Sequence, residues 1–283
     1  MLAYRMPPGY VIKGVARRLG ISMRTRRFRK PEQGMQALND HLNNGHPVGL
    51  QASVYWLPYF PHDMRFHFNA HNLVVYGYQG GNQLETYFIS DPTFESPVEA
   101  DYKSLQRARF VKGMLAPKGV LYYPESIPKK PDFQGPIAEA INSNLHMMLR
   151  TPLPWIGIRG MRYVAAKLRR FGRNAKSEAR GKLFIGHMVR MQEEIGTGGG
   201  GFRFLYAAFL HESAQLLNND KLLHAASELT LAGDEWRRYA LYVAKMLKDR
   251  MQLDFDKLAD QLLEVAELER QAYQTLQVAM NSR

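Results

Sequence analysis

A chain of 283 residues, 45% of them hydrophobic, can supply the core of one large or two ordinary domains, and we expect two. It contains no cysteine, which excludes disulfides, thiolate metal sites and a cysteine nucleophile within these residues. The formal net charge of +12 predicts a surface that attracts acidic partners.

The charge is uneven. Basic residues crowd Lys13 to Lys30 and Arg150 to Arg190, whereas the C-terminal segment carries Asp254, Asp256, Asp260, Glu264, Glu267 and Glu269. Solvated helix faces are the plain account of such runs. No nucleic-acid motif accompanies them, so nucleic acid is not the expected partner. No apolar run is long enough to cross a bilayer and residues 1–25 lack the apolar core of a secretory signal, so a cytoplasmic protein without membrane insertion is expected.

In chain order, Val11, Ile12, Val15, Ala16 and Leu19 are spaced for a short helix ended by Gly20. The chain enters that helix with no lead-in, which reads as an N-terminal truncation. A second helix runs from Pro31 through Met35, Leu38 and Leu42 and stops at Asn43-Asn44-Gly45. Val48, Leu50, Ala52 and Val54 then alternate with Gly49, Gln51 and Ser53 as in a strand. After an aromatic turn from Trp56 to His62, the stretches Arg65 to Tyr78 and Tyr87 to Pro92 flank Gly80-Gly81-Asn82, the pattern of a β-hairpin. Residues 72–78 are apolar at both parities, which predicts a central strand covered on both faces.

Leu105 to Val111 reads as a helix and Gly119 to Tyr123 as a last strand. A proline-rich joint, residues 126–136, separates residues 1–125 from residues 137–283, which read as helices throughout. Phe202, Leu205, Phe209 and Leu216 share one helical face, as do Trp236, Tyr239, Ala240, Val243 and Leu247, and again Leu258, Leu262, Val265 and Leu276. Asp234 after Gly233 suits an N-cap. The fold class is therefore α+β with an all-helical C-terminal domain.

A hairpin turn centred on Gly81 puts His71 opposite Asp91, each ten residues from the turn. Directly paired residues have Cβ atoms about 4.5–5.5 Å apart, so the carboxylate can fix the imidazole tautomer and leave the other nitrogen as a base. The structural alternative is a histidine merely satisfied by a carboxylate. Covalent catalysis would also need a thiol or hydroxyl near the imidazole, and the sequence does not place Ser53 there.

His62, His67 and His71 suggest a metal, but their extended surroundings supply no acidic ligand at suitable spacing beyond Asp63, so no metal is expected. His211-Glu212 lacks the second histidine of a metalloprotease helix, since Gln215 stands in its place. Gly198 to Gly201 could cradle a phosphate, yet no Lys-Ser or Lys-Thr follows; a hinge or close-packing loop fits better. Around it stand Glu193, Glu194, Thr197 and Arg203, either a buried ion pair or groups that orient a polar substrate.

Pro47-Val-Gly-Leu-Gln-Ala-Ser-Val-Tyr55, His71-Asn-Leu-Val-Val-Tyr-Gly-Tyr78 and Ser90-Asp-Pro92 resemble the N-terminal domain of butirosin-biosynthesis protein H type acyltransferases. That domain is similar to papain-like cysteine peptidases. Met191 to Phe204 and Gly233-Asp-Glu-Trp-Arg237 resemble the helical domain of unknown function that follows it, so the likeness covers essentially the whole chain. The resemblance implies acyl or aminoacyl transfer in specialised-metabolite biosynthesis. The group would pass from the phosphopantetheine of an acyl carrier protein to a small-molecule amine or hydroxyl. No cofactor of the chain's own is implied. His71 matches the family's base and Asp91 its orienting aspartate, while the cysteine nucleophile, which the family carries near its N-terminus, has no counterpart here. A non-catalytic carrier-binding or scaffold module is the second reading, and a peptidase the third.

Overall fold

The computed structural model describes residues 8–173, 175–194 and 197–281. It divides into two compact units, one ending at Pro131 and the other beginning at Asp132.

The first unit contains α1 (Pro8–Arg18), β1 (Ser22–Arg26), α2 (Pro31–Asn43), β2 (Val48–Ala52), β3 (His71–Gln79), β4 (Thr86–Ser90), β5 (Val98–Asp101), α3 (Tyr102–Phe110) and β6 (Leu121–Ser126). Local chemistry sets its helix starts. Pro31 opens α2, where its fixed φ suits the first turn and its missing N–H costs nothing. The Asp101 side chain caps α3 by accepting from the Ser104 amide at 3.0 Å.

The six strands form one antiparallel sheet in the order β1-β6-β2-β3-β4-β5. Val48, Leu50 and Ala52 lie on one face with Leu73, Val75, Tyr87, Ile89 and Leu121, and Met35 and Leu38 of α2 and Leu105 and Ala108 of α3 complete this core. On the other face of β3, Val74 and Tyr76 are exposed. The expectation that this strand is covered twice is thus overturned: among the described residues the helix side chains of this core join one face, and on the opposite face Tyr76 stacks on Phe88. β1 gave no apolar alternation to read because it is a charged, exposed edge strand.

The second unit comprises α4 (Gln134–Leu145), a π-helical turn (His146–Arg150), α5 (Gly157–Phe171), α6 (Ala175–Glu193), a short 3-10 turn (Gly200–Phe202), α7 (Arg203–Leu217), α8 (Lys221–Leu247) and α9 (Phe255–Asn281). Two apolar clusters hold it together, one of α4, α7, α8 and α9 and the other of α5, α6, α8 and α9. Helix α8 runs unbroken through Gly233 and Asp234, so Asp234 is not an N-cap. Gly233 is there for space, since a Cβ would stand 2.8 Å from the Phe204 ring. The face of α7 that enters the core is Ala207, Leu210, Ala214 and Leu217; Phe202, Leu205 and Leu216 are exposed. Among the described residues no helix is long and apolar enough to cross a membrane.

Candidate active site

His71 opens β3 and Asp91 follows β4 directly. Next to the turn the hairpin pairs Gln79 with Thr86, Tyr78 with Tyr87 and Gly77 with Phe88. Continued unbroken, that register would place Asp91 opposite Val74, on the face away from His71. Tyr76 is a bulge: it takes no partner, and from Val75, paired with Ile89, the register is shifted by one. The shift returns Asp91 to the face of Leu73, Val75 and His71, because side chains alternate with period two.

His71 and Asp91 are therefore diagonal neighbours across the hairpin and not the directly opposed pair that the sequence suggested; the direct partner of His71 is Ala52 on β2. The turn is longer than the glycine pair implied, with Asn82 and Gln83 as well as Gly80 at positive φ. Diagonal positions are about 7–8 Å apart, still within reach of an imidazole.

The reach is used: His71 Nε2 lies 2.6 Å from Asp91 Oδ2. Tyr59 donates its hydroxyl to the same oxygen at 2.8 Å, and the Thr93 amide donates to Oδ1 at 2.9 Å. Burial by itself would raise the Asp91 carboxyl, but the hydrogen bond and charge of His71, the Thr93 amide and the Tyr59 hydroxyl outweigh it and hold the carboxyl below its ordinary value. Asp91 is thus an ionised acceptor, Nε2 carries the proton it accepts, and Nδ1 is the basic nitrogen. Burial and the Asp91 charge push the Tyr59 hydroxyl far above its usual range, so it stays a donor.

The segment between β2 and β3 is tied to this pair. Val54 N donates to Phe68 O at 3.0 Å, Arg65 Nε to Phe60 O at 2.7 Å, and Arg65 also bonds Pro58 O. Phe60 meets the His71 ring edge-on at 5.6 Å. Tyr59 was not singled out from the sequence, although the aromatic turn that carries it was visible. Ser53 is fully buried and its hydroxyl makes no hydrogen bond, so it does not serve His71. His67 stacks on Tyr55, and no group of three or more metal-ligating side chains stands together among the described residues.

The polar residues around the tetraglycine segment separate into different roles. Arg203 pairs with Glu269 through two bonds of 2.7 and 3.1 Å, and Trp236 Nε1 donates to the same carboxylate at 2.5 Å. Glu269 is fully buried. Burial alone would lower the Arg203 guanidinium, but the Glu269 carboxylate outweighs it and raises it. Glu193 accepts from the Gly200 amide at 3.1 Å, and the Thr197 hydroxyl from the Gly199 amide at 3.1 Å, so these amides are already occupied by the chain's own oxygens. Glu194 stands apart on the surface with Arg190. Sequence reasoning missed Glu269, yet its position three and four residues from Ala266, Val265, Ala272 and Tyr273 puts it on the buried face of α9.

Residues 1–92 match the model of the N-terminal domain of butirosin biosynthesis protein H, and residues 103–276 match a domain of unknown function (DUF4872). The chain belongs to the DUF4872 family, and the butirosin protein H N-terminal domain precedes that match. No curated protein matches it. His71 and Asp91 both fall in the butirosin protein H domain; Arg203, Trp236 and Glu269 fall in the DUF4872 domain. The DUF4872 match begins at 103, ahead of the division at Pro131, so it takes in α3 and β6, which complete the core and sheet of the first unit.

Proposed function

We propose that the chain belongs to a carrier-protein-dependent acyl transfer system of specialised-metabolite biosynthesis, with a papain-like first unit in which His71 is the base and Asp91 its orienting group. The observation that supports this reading is the buried Asp91 carboxylate on Nε2, which leaves Nδ1 to take a proton. The donor would be an acyl or aminoacyl thioester on the phosphopantetheine of an acyl carrier protein. As the acceptor amine or hydroxyl loses its proton to Nδ1, its lone pair attacks the thioester carbonyl and the pantetheine thiolate leaves. The protein brings no cofactor of its own to this step. Acyl transfer from loaded carrier protein to acceptor, measured with the 283-residue chain, tests the reading: His71→Ala should abolish transfer, and an unchanged rate would remove His71 from the mechanism.

The absence of cysteine favours a second reading, a carrier-binding or scaffold module without turnover. It expects carrier-protein association that weakens with salt and no transfer when acceptor is added. Turnover by this chain would eliminate it.

A further inference from the structure

Two stretches of this protein carry a strong excess of positive charge, residues 13–30 in the first unit and residues 157–182 in the second. Residues 157–182, which form α5 and the first half of α6, hold nine lysines and arginines against one carboxylate, Glu178. That is a net +8, equal to that of residues 13–30, in a chain of net +12. The inward face of α5 is fixed by Ile158, Met161, Val164, Ala165 and Leu168, all buried. Its outward face is a stripe of Arg159, Arg162, Arg169 and Arg170, with Arg173 just past its end and Lys176 and Arg180 on α6; all seven are exposed.

Only one edge of this stripe is neutralised. Arg162 stands 3.9 Å from Glu267, and Arg169 pairs with Asp260, both acids on α9. Arg159, Arg170, Arg173, Lys176 and Arg180 have no carboxylate partner among the described residues. Exposed Trp155 and Tyr163 lie at the start of the stripe. Such a run of like charge repels itself and is kept at a cost in stability, which an acidic partner offsets. Arginine forks hold carboxylates bidentately, and Arg, Trp and Tyr are the side chains that carry most interface energy.

We infer that the outward face of α5, with Arg173 just beyond its end, forms a docking surface for an acidic protein, and that its occupant is the acyl carrier protein of the acyl transfer proposed above, a reading on which this inference rests. The stripe from Arg159 to Arg173 is about 20 Å long at the rise of a helix, the length of one acidic helix of a small domain. Because the apolar side of α5 is spent inside the bundle, the surface offers charge and the exposed rings of Trp155 and Tyr163 rather than a continuous apolar face.

The test is fluorescence anisotropy of a labelled holo acyl carrier protein titrated with the full chain. Binding should weaken as salt rises from about 50 to about 300 mM. Arg170→Glu with Arg173→Glu should weaken it by more than about tenfold, and the milder Arg170→Gln with Arg173→Gln by less, both with unchanged circular dichroism. Arg29→Glu, a reversal in the first unit, should stay within about twofold. Carrier binding that is indifferent to the α5 reversals would overturn the docking surface and leave the acyl transfer reading standing. No binding by the unaltered chain would remove both. Displacement of the carrier by mixed-sequence RNA, lost with the same arginines, would assign the surface to nucleic acid instead and overturn the inference.

Discussion

Tyr59 and His71 donate to the same carboxylate oxygen, Oδ2 of Asp91, at 2.8 and 2.6 Å. One hydrogen bond ties the segment before the hairpin to the residue just after it, and the imidazole is held between them. Tyr59→Phe should leave the ring packed against Phe60 and Phe94 while removing that bond. We expect a loss of about 1.5–3 kcal/mol, as for a hydrogen bond to a charged group, and an upward shift of the Asp91 carboxyl. Urea unfolding and a carboxyl-carbon NMR titration read the two effects.

The depressed Asp91 carboxyl gives stability a defined pH dependence. An acid lowered by folding contributes fully above its ordinary value of about 4, and the contribution is lost as pH falls through the lower folded value. The gap in urea midpoint between the unaltered chain and Asp91→Asn should narrow as pH falls below about 4. A gap that widens in acid would show that Asp91 is not stabilised as a carboxylate.

Glu269 should prove far costlier to remove than its neighbours in composition. Glu269→Ala strands the guanidinium of Arg203 and the indole N–H of Trp236 inside the helical unit, at a cost of about 3–5 kcal/mol. Glu194→Ala, which touches only the surface charge of Arg190, should stay within about 0.5 kcal/mol. Thermal unfolding of the two variants gives the comparison directly.

Along the tetraglycine segment, substitution costs should differ by position. Gly198 and Gly201 both have positive φ, +69° and +58°, so alanine is strained at either. At Gly198 the new Cβ finds only Leu205 at 3.8 Å, and strain of about 1–2 kcal/mol is the whole effect. At Gly201 the Cβ also collides with the side chains of Gln192 and Arg203, the latter already committed to Glu269. Gly201→Ala should therefore lower the melting temperature further than Gly198→Ala.

Elements whose boundaries are written in local chemistry were legible from the sequence. Alternation marked β2, Pro31 and Asn44-Gly45 bracketed α2, and helical spacing marked the inner faces of α8 and α9. The approach of His71 to Asp91 was also legible, though for a simpler hairpin than the real one. The bulge at Tyr76 leaves no mark in an aromatic strand, and Asn82 and Gln83 in left-handed conformations lengthen a turn that two glycines alone could have closed. Glu269 was hidden for another reason: a charge count assigns a glutamate to the surface, whereas helical spacing places this one beside Ala266, Ala272 and Tyr273 on the buried side of α9. The outer face of α7 misled in the opposite direction, because Phe202, Leu205 and Leu216 form an apolar stripe that stays in solvent.

The parity of the hairpin limits how this family can vary. Losing the bulge at Tyr76 while the turn-side register is kept would turn His71 and Asp91 to opposite sides of the sheet, whereas residues added between Gly80 and Glu85 can be taken up by the turn. Relatives that keep the pair should therefore keep the kink in β3, while the turn is free to differ in length. Turn length can drift freely; strand parity cannot.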